Sequence, residues 1–151
     1  MNAHPPPTVA DGAHHYSVRI YYEDTDAGGV VYHGNFLRLA ERARTEALRD
    51  LDISHAEMTR QFGLIFMVRR AKLDYLAPAR VDDLLTVATR PLSVGAASVV
   101  LHQSFHLDGR MLALAEIQLA CVRLADLRPA RIPPRWRGAL IGLAGAADAM
   151  A

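Results

Sequence analysis

The spacing of apolar residues divides this chain into a patternless start and a sharply patterned remainder. Residues 1–13 carry Pro5, Pro6 and Pro7 among alanines and small polar residues, with no recurring apolar position. Such a segment has little to bury and reads as a disordered tail. Alternation follows. Val18, Ile20 and Tyr22 fall on one side and Ser17, Arg19 and Tyr21 on the other, the period-two signature of a strand. Glu23, Asp24, Thr25 and Asp26 stop it, and Gly28-Gly29 lets the backbone turn or approach a ligand closely. Residues 36–51 then switch to the helical period. Phe36, Ala40, Ala43, Ala47 and Leu51 form one stripe, widened by Leu37, Leu39 and Leu48, with Arg38, Arg42, Thr45, Glu46 and Arg49 opposite. Asn35 reads as the N-cap, with a start a few residues earlier also open. Arg44 falls inside the apolar face. A buried charge needs a partner, and Glu41 is the candidate, unless Arg44 reaches out past the helix edge.

Beyond this helix, Ser54 followed by Glu57 predicts a capped short helix over residues 55–61, ended by Gly63. Residues 64–76 predict a strand with Ile65, Met67, Ala71, Leu73 and Tyr75 on one side, where Arg69 intrudes; Pro78 stops it. Residues 84–92 and 98–107 predict two strands joined by a turn around Gly95, and Asp108-Gly109 predicts a tight hairpin into a strand over 111–124. Residues 136–147 read as a weak terminal helix. The domain layout is a tail over 1–13, one domain over 14–136, and a weak helix or tail over 137–151. One long helix, one short helix and five strands, four of them consecutive, imply an α+β architecture: an antiparallel sheet curled around the long helix.

Composition narrows the functional classes. Hydrophobic residues make up 51% of the 151, enough for one core, and 17 Lys+Arg against 16 Asp+Glu leave a net charge of +1. That balance gives no electrostatic case for nucleic acid or an anionic membrane. Cys121, the single cysteine, allows no intrachain disulfide or multi-cysteine metal site, and its strand context reads as a buried inert thiol. His4, His14 and His15 invite a metal reading, but no fixed acidic partner accompanies them. The tail lacks a signal-peptide core and residues 139–147 are too short to span a bilayer, so the cytoplasm is the simplest location.

Candidate chemistry concentrates at the strand–turn–helix corner, where acids, glycines and a histidine precede an apolar helix. On the residues alone, Asp24 and Asp26 read as turn formers that bond their own backbone. Alternatively, Glu23, Asp24, Asp26 and His33 could gather a metal. The run YYEDTDAGGVVYHGNF, followed by ERARTE, adds a further reading: it resembles the hotdog-fold acyl-CoA thioesterases. The likeness is to the branch associated with the Tol–Pal cell-envelope system and, more distantly, to 4-hydroxybenzoyl-CoA thioesterase. LDYLAPARVDDLLTV and RPARIPP extend it, so that it covers about residues 16–135.

The resemblance implies a five-stranded antiparallel sheet wrapped around a central helix, homo-oligomers that are dimers or tetramers, and active sites at the dimer interface. It implies Asp26 as the catalytic carboxylate and His33 as part of the signature, with the backbone N–H at this position polarising the thioester carbonyl. Gly28, Gly29, Val30, Tyr32 and Gly34 would then contact substrate. The family uses no metal and no cofactor; coenzyme A belongs to the substrate. Asp26 can act as general base or as nucleophile, and these remain alternatives. The hairpin around Gly95 lacks the basic residues that hydroxybenzoyl relatives carry there, so the phosphate contacts do not transfer. Competing readings are a non-enzymatic acyl-CoA-binding or envelope-machinery adaptor and a same-fold acyl-thioester dehydratase. Large side chains near the corner, Tyr21, Tyr22, Tyr32, Phe36 and Phe66, can block a deep tunnel, so acyl groups fitting a small apolar slot are expected, short aliphatic chains first; aromatic ones, which the hydroxybenzoyl relatives accept, rank second.

Overall fold

The computed structural model describes residues 8–10 and 12–150, with side chains over 12–145. Strands β1 (Thr8–Ala10) and β2 (Ala13–Arg19) precede a short 3-10 turn, Tyr22–Asp24. Helix α1 (His33–Asp50) and helix α2 (His55–Phe62) follow. Strands β3 (Leu64–Tyr75), β4 (Leu84–Val94), β5 (Ser98–Leu107) and β6 (Arg110–Arg123) lead to helix α3 (Pro134–Met150). All strands pair antiparallel in one sheet of order β1-β2-β4-β5-β6-β3. Five long strands curl around α1, which is the hotdog arrangement; a sixth, β1, adds three residues at one edge.

That sixth strand corrects the disordered tail expected over residues 1–13. Val9 pairs with His14 across a turn at Gly12, whose φ of 69° suits glycine. Three residues are too few to show a period, so the strand owes its order to β2. Residues 1–7 lie outside the described residues. The first long strand also begins earlier than expected and stops at Arg19, so Tyr21 and Tyr22 stand exposed in the turn rather than extending the sheet.

Two apolar clusters fill the interior. One joins Phe36, Leu39, Ala40 and Ala43 of α1 to Val18, Leu85, Val87, Phe105 and Leu112 of the sheet. The other joins Leu48, Ile53 and Met58 to Leu101, Ile117, Leu119 and Cys121, and is closed by Trp136 and Leu140 of α3. The terminal helix is therefore a packed element over its first turns, with Trp136 1% exposed, not a weak appendage. Arg135 fixes it from outside by a bidentate contact of 3.0 Å to Glu57 of α2. Burial raises the Cys121 thiol, in keeping with an inert core position.

Between the clusters lies a polar layer. Arg44, 8% exposed, does not pair with Glu41 by contact; its Nη1 donates to Gln103 Oε1 at 3.0 Å. Gln103, fully buried, donates through Nε2 to Ala40 O at 2.9 Å and Thr89 Oγ1 at 3.0 Å. Burial lowers the Arg44 pKa, and the field of Glu41 offsets part of that. Local devices form as the sequence predicts. Ser54 Oγ caps Glu57 N–H at 3.2 Å, Gly63 ends α2 at φ 64°, and Asp108-Gly109 turn with φ 49° and 81°. Arg69, the charge intruding on the apolar side of β3, falls at a register shift between Val68 and Arg70.

Candidate active site

The corner between β2 and α1 is built on backbone hydrogen bonds. Ile20 N–H donates to Asp83 O, and Tyr21 N–H donates to Asp24 Oδ2 at 2.8 Å, closing the 3-10 turn. Asp24 is buried and held this way, so its role is structural. The chain then makes a narrow loop: Thr25 bridges Val31, and Asp26 N–H donates to Val30 O at 2.9 Å. Val30 in turn bridges Arg80, and Val31 N–H donates to Ala79 O. Two strand-like contacts thus pin the loop to the segment after Pro78, and Asp26 sits at its exposed tip.

Both glycines have a reason. Gly28 N–H donates to Asp26 Oδ1 at 2.8 Å, and a Cβ there would come within 3.3 Å of the same oxygen. Gly29 sits at φ 79° and donates its N–H to Asp26 O. The carboxylate is therefore aimed by its own loop through Oδ1. Oδ2 has no hydrogen-bond partner among the described residues.

The helix starts at His33, three residues before the start at Phe36 that Asn35 as N-cap implies. Tyr32 occupies the cap and provides no side-chain cap. Asn35 instead braces the preceding turn. Its Nδ2 donates to Asp24 O at 2.7 Å, and Tyr32 N–H reaches the same carbonyl at 3.2 Å. Asn35 N–H itself is taken by Tyr32 O. The N–H groups of His33 and Gly34 thus open the helix at its uncapped, positive end.

Aromatic rings surround this opening. The His33 ring lies 4.2 Å from that of Tyr32 and meets Tyr75 edge-on at 6.2 Å. Tyr75 Oη donates to His33 O at 2.8 Å and its ring packs on Phe36 at 5.5 Å. Desolvation, with Tyr32 nearby, raises the Tyr75 phenol, so it remains a donor at neutral pH. A Cβ at Gly34 would approach the Tyr32 ring to 3.0 Å, so glycine there admits that ring. No hydrogen bond joins Asp26 to His33 among the described residues. The structure places Asp26, Gly28, Gly29 and Val30 on one loop, and Tyr32, His33 and Gly34 on the helix start that this loop feeds. Tyr75 and the Ala79–Arg80 brace are additions to the site, and Asn35, expected as the N-cap, enters it as a brace on Asp24.

Of the three amino-terminal histidines, His4 lies outside the described residues. His14 is fully buried, with Nε2 2.8 Å from Asp50 Oδ2. Among the described residues no group of three or more His, Cys, Asp or Glu side chains is placed to hold a metal ion, and no helix is long and apolar enough to cross a membrane. Two clefts lie along α1 beside β3, of about 390 and 200 Å³. Neither is lined by Asp26 or His33, so within one chain the Asp26 loop is not roofed by either.

Residues 28–114, more than half of the 151-residue chain, match the Thioesterase superfamily. The acyl-CoA thioesterase YbgC of Haemophilus influenzae is 40% identical over 131 residues, 87% of this chain and 96% of that protein. The acyl-CoA thioester hydrolase YbgC of Escherichia coli is 40% identical over 119 residues, 78% of this chain and 88% of its own length. Among solved structures, a probable thioesterase from Bartonella henselae superposes with a TM-score of 0.77 at 32% identity, covering 80% of this chain and 99% of its own. A 1,4-dihydroxy-2-naphthoyl-CoA thioesterase from Synechocystis gives a TM-score of 0.78 at 25% identity, covering 84% and 94%.

Proposed function

Because the chain belongs to the thioesterase superfamily, we propose that it hydrolyses short-chain acyl-CoA esters to the free acid and coenzyme A, with Asp26 supplying or activating the attacking oxygen. A thioester carbonyl needs a nucleophile on its carbon and donors on the oxygen where negative charge develops. The observation that carries the reading is the carboxylate's geometry: Oδ1 is fixed by Gly28 N–H, while Oδ2 is unengaged on an exposed loop feeding an uncapped helix start. In the general-base route, Oδ2 takes a proton from water as the water oxygen bonds to the carbonyl carbon. The tetrahedral intermediate then expels the thiolate of coenzyme A. In the nucleophilic route, Oδ2 itself bonds to that carbon, the C–S bond breaks to release the coenzyme A thiolate, and water opens the resulting anhydride to the free acid and the Asp26 carboxylate. The N–H groups of His33 and Gly34 are the donors for the carbonyl oxygen, assisted by the helix dipole. The His33 ring and Tyr32 orient the acyl group, and Gly28, Gly29, Val30 and Gly34 let it approach the backbone.

The site is completed by a second copy in a dimer, or a tetramer built from dimers, working in the cytoplasm beside the Tol–Pal machinery. No metal or further cofactor takes part. Release of free thiol from a series of acyl-CoA esters tests this. Each methylene that enters an apolar slot adds at most ~0.8 kcal/mol, and overfilling costs ~1–3 kcal/mol, so kcat/KM should rise with chain length and then fall. A steady climb through palmitoyl-CoA, measured below its micelle threshold, would overturn the short-slot reading. Absence of turnover on every ester would favour the adaptor reading.

A further inference from the structure

The longer cleft holds a charge that the chain leaves without a counter-charge in contact. It lies between α1, α2 and β3, has a volume of about 390 Å³, and is lined by Glu41, Arg44, Thr45 and His55 opposite Phe66 and Val68. A second cleft of about 200 Å³ continues it toward the start of α1, past Leu37 and Arg38, and shares Glu41, Arg44 and Val68. Leu37, Glu41, Arg44 and Thr45 are spaced by three and four residues, so they line one face of the helix. The groove therefore runs from one turn beyond Gly34, at the uncapped helix end, to His55.

Arg44 is the group this groove is built against. It is more than nine-tenths buried, yet no carboxylate lies within ion-pair distance of it among the described residues. Of the five N–H donors on a guanidinium, one is used, toward Gln103. Glu41 is exposed, and it acts on Arg44 through its field without touching it. Desolvation, then the charge of Arg44, lowers the His55 pKa, so this ring is neutral at pH 7 and adds no second cation. A desolvated cation of this kind is stabilised most by a carboxylate that its planar fork can grip with two hydrogen bonds. The opposite wall, with Ile65, Phe66 and Val68, suits methylenes.

We infer that this groove receives the distal end of the acyl group, that Arg44 reads a carboxylate there, and hence that the favoured substrates are CoA thioesters of dicarboxylic acids. This rests on the thioesterase reading and specifies its substrate class. Charge-assisted hydrogen bonds to one end of a substrate support discrimination of about tenfold or more.

The test pairs esters of equal chain length: glutaryl-CoA with valeryl-CoA, and adipoyl-CoA with hexanoyl-CoA. In the wild type, kcat/KM for the carboxylate-ended member of at least one pair should exceed that of its partner about tenfold or more. In Arg44→Gln, which retains a donor for Gln103, that ratio should fall to about one. Arg44→Lys keeps the charge without the fork and should give an intermediate ratio. Thermal melts establish that each variant is folded, and the wild-type ratio decides the matter even if neither variant is. A wild type that hydrolyses both members of each pair equally overturns the inference and leaves the thioesterase reading standing. The same equal rates, with a dimer that weakens in Arg44→Gln, would assign Arg44 to a carboxylate of the second copy and also overturn it. A wild type that hydrolyses none of the four overturns both.

Discussion

At the scale of single residues, the roles proposed for Asp26 and His33 should separate on substitution. Asp26→Asn keeps an oxygen for Gly28 N–H to bond, so the loop should hold its shape while the base or nucleophile is lost. Turnover should fall by at least ~10²-fold with an unchanged circular dichroism spectrum. A folded Asn variant with wild-type kcat would remove Asp26 from the mechanism. His33→Ala deletes a ring that packs on Tyr32 and meets Tyr75 edge-on, but retains the N–H at the helix start. Its loss in kcat should be several-fold smaller than that of Asp26→Asn. An equal loss with the fold intact would give the imidazole itself the essential part.

At the scale of elements, the corner was legible because its signals are local. Alternation, a double glycine and a helical period follow one another within a short span, and each owes its meaning to neighbours in sequence. The polar layer inside the fold has no such signal. Gln103 is one polar residue in a strand, and its partner Arg44 lies 59 positions away, so nothing near either residue announces the pair. Glu41, one turn from Arg44, is the natural local partner by spacing, but it stays at the surface. Asn35 shows the converse: a residue suited to capping is spent instead on bracing Asp24. Gln103→Leu tests the layer. It removes both the acceptor for Arg44 and the donor to Ala40 O, leaving a buried guanidinium without a partner. That should cost about 1–3 kcal/mol or more, visible as a melting point lowered by several degrees. An unchanged melting point would mean that water or the groove's occupant satisfies Arg44.

At the scale of the whole molecule, two properties are set by where groups are buried and where the sheet ends. The first is the response to pH. Burial is the leading cause that lowers His55, His102 and His106 below the ordinary 6.5, aided by Arg44, Arg90 and His15 respectively. The folded state then binds fewer protons than the unfolded chain just below that value, so stability declines as pH falls through it and levels off below the folded pKa values. Melting temperature should be flat above about pH 7 and drop toward about pH 5. A melting point that rises over this window would reverse the sign and exclude burial as the cause.

The second property is assembly. The sheet has two edges, and they differ. β1 is three residues long, a short edge of the kind that resists pairing. β3 is twelve residues long, pairs with β6 on one side, and exposes Met67, Val68 and Tyr75. A long edge strand with exposed apolar side chains is a template for another strand, and a second copy of β3 running antiparallel satisfies both copies by a two-fold axis. That axis would also bring a second α1 and its groove toward the first, and would supply cover for the Asp26 loop, which neither cleft roofs within one chain. Light scattering should therefore give at least twice the 16.6 kDa of the chain. Met67→Asp places a charge on the edge and should shift the protein toward the monomer. Dilution of the wild type through its dimer dissociation constant should lower specific activity in step with mass. A wild type that is monomeric at working concentration and fully active would show that one chain carries the whole site.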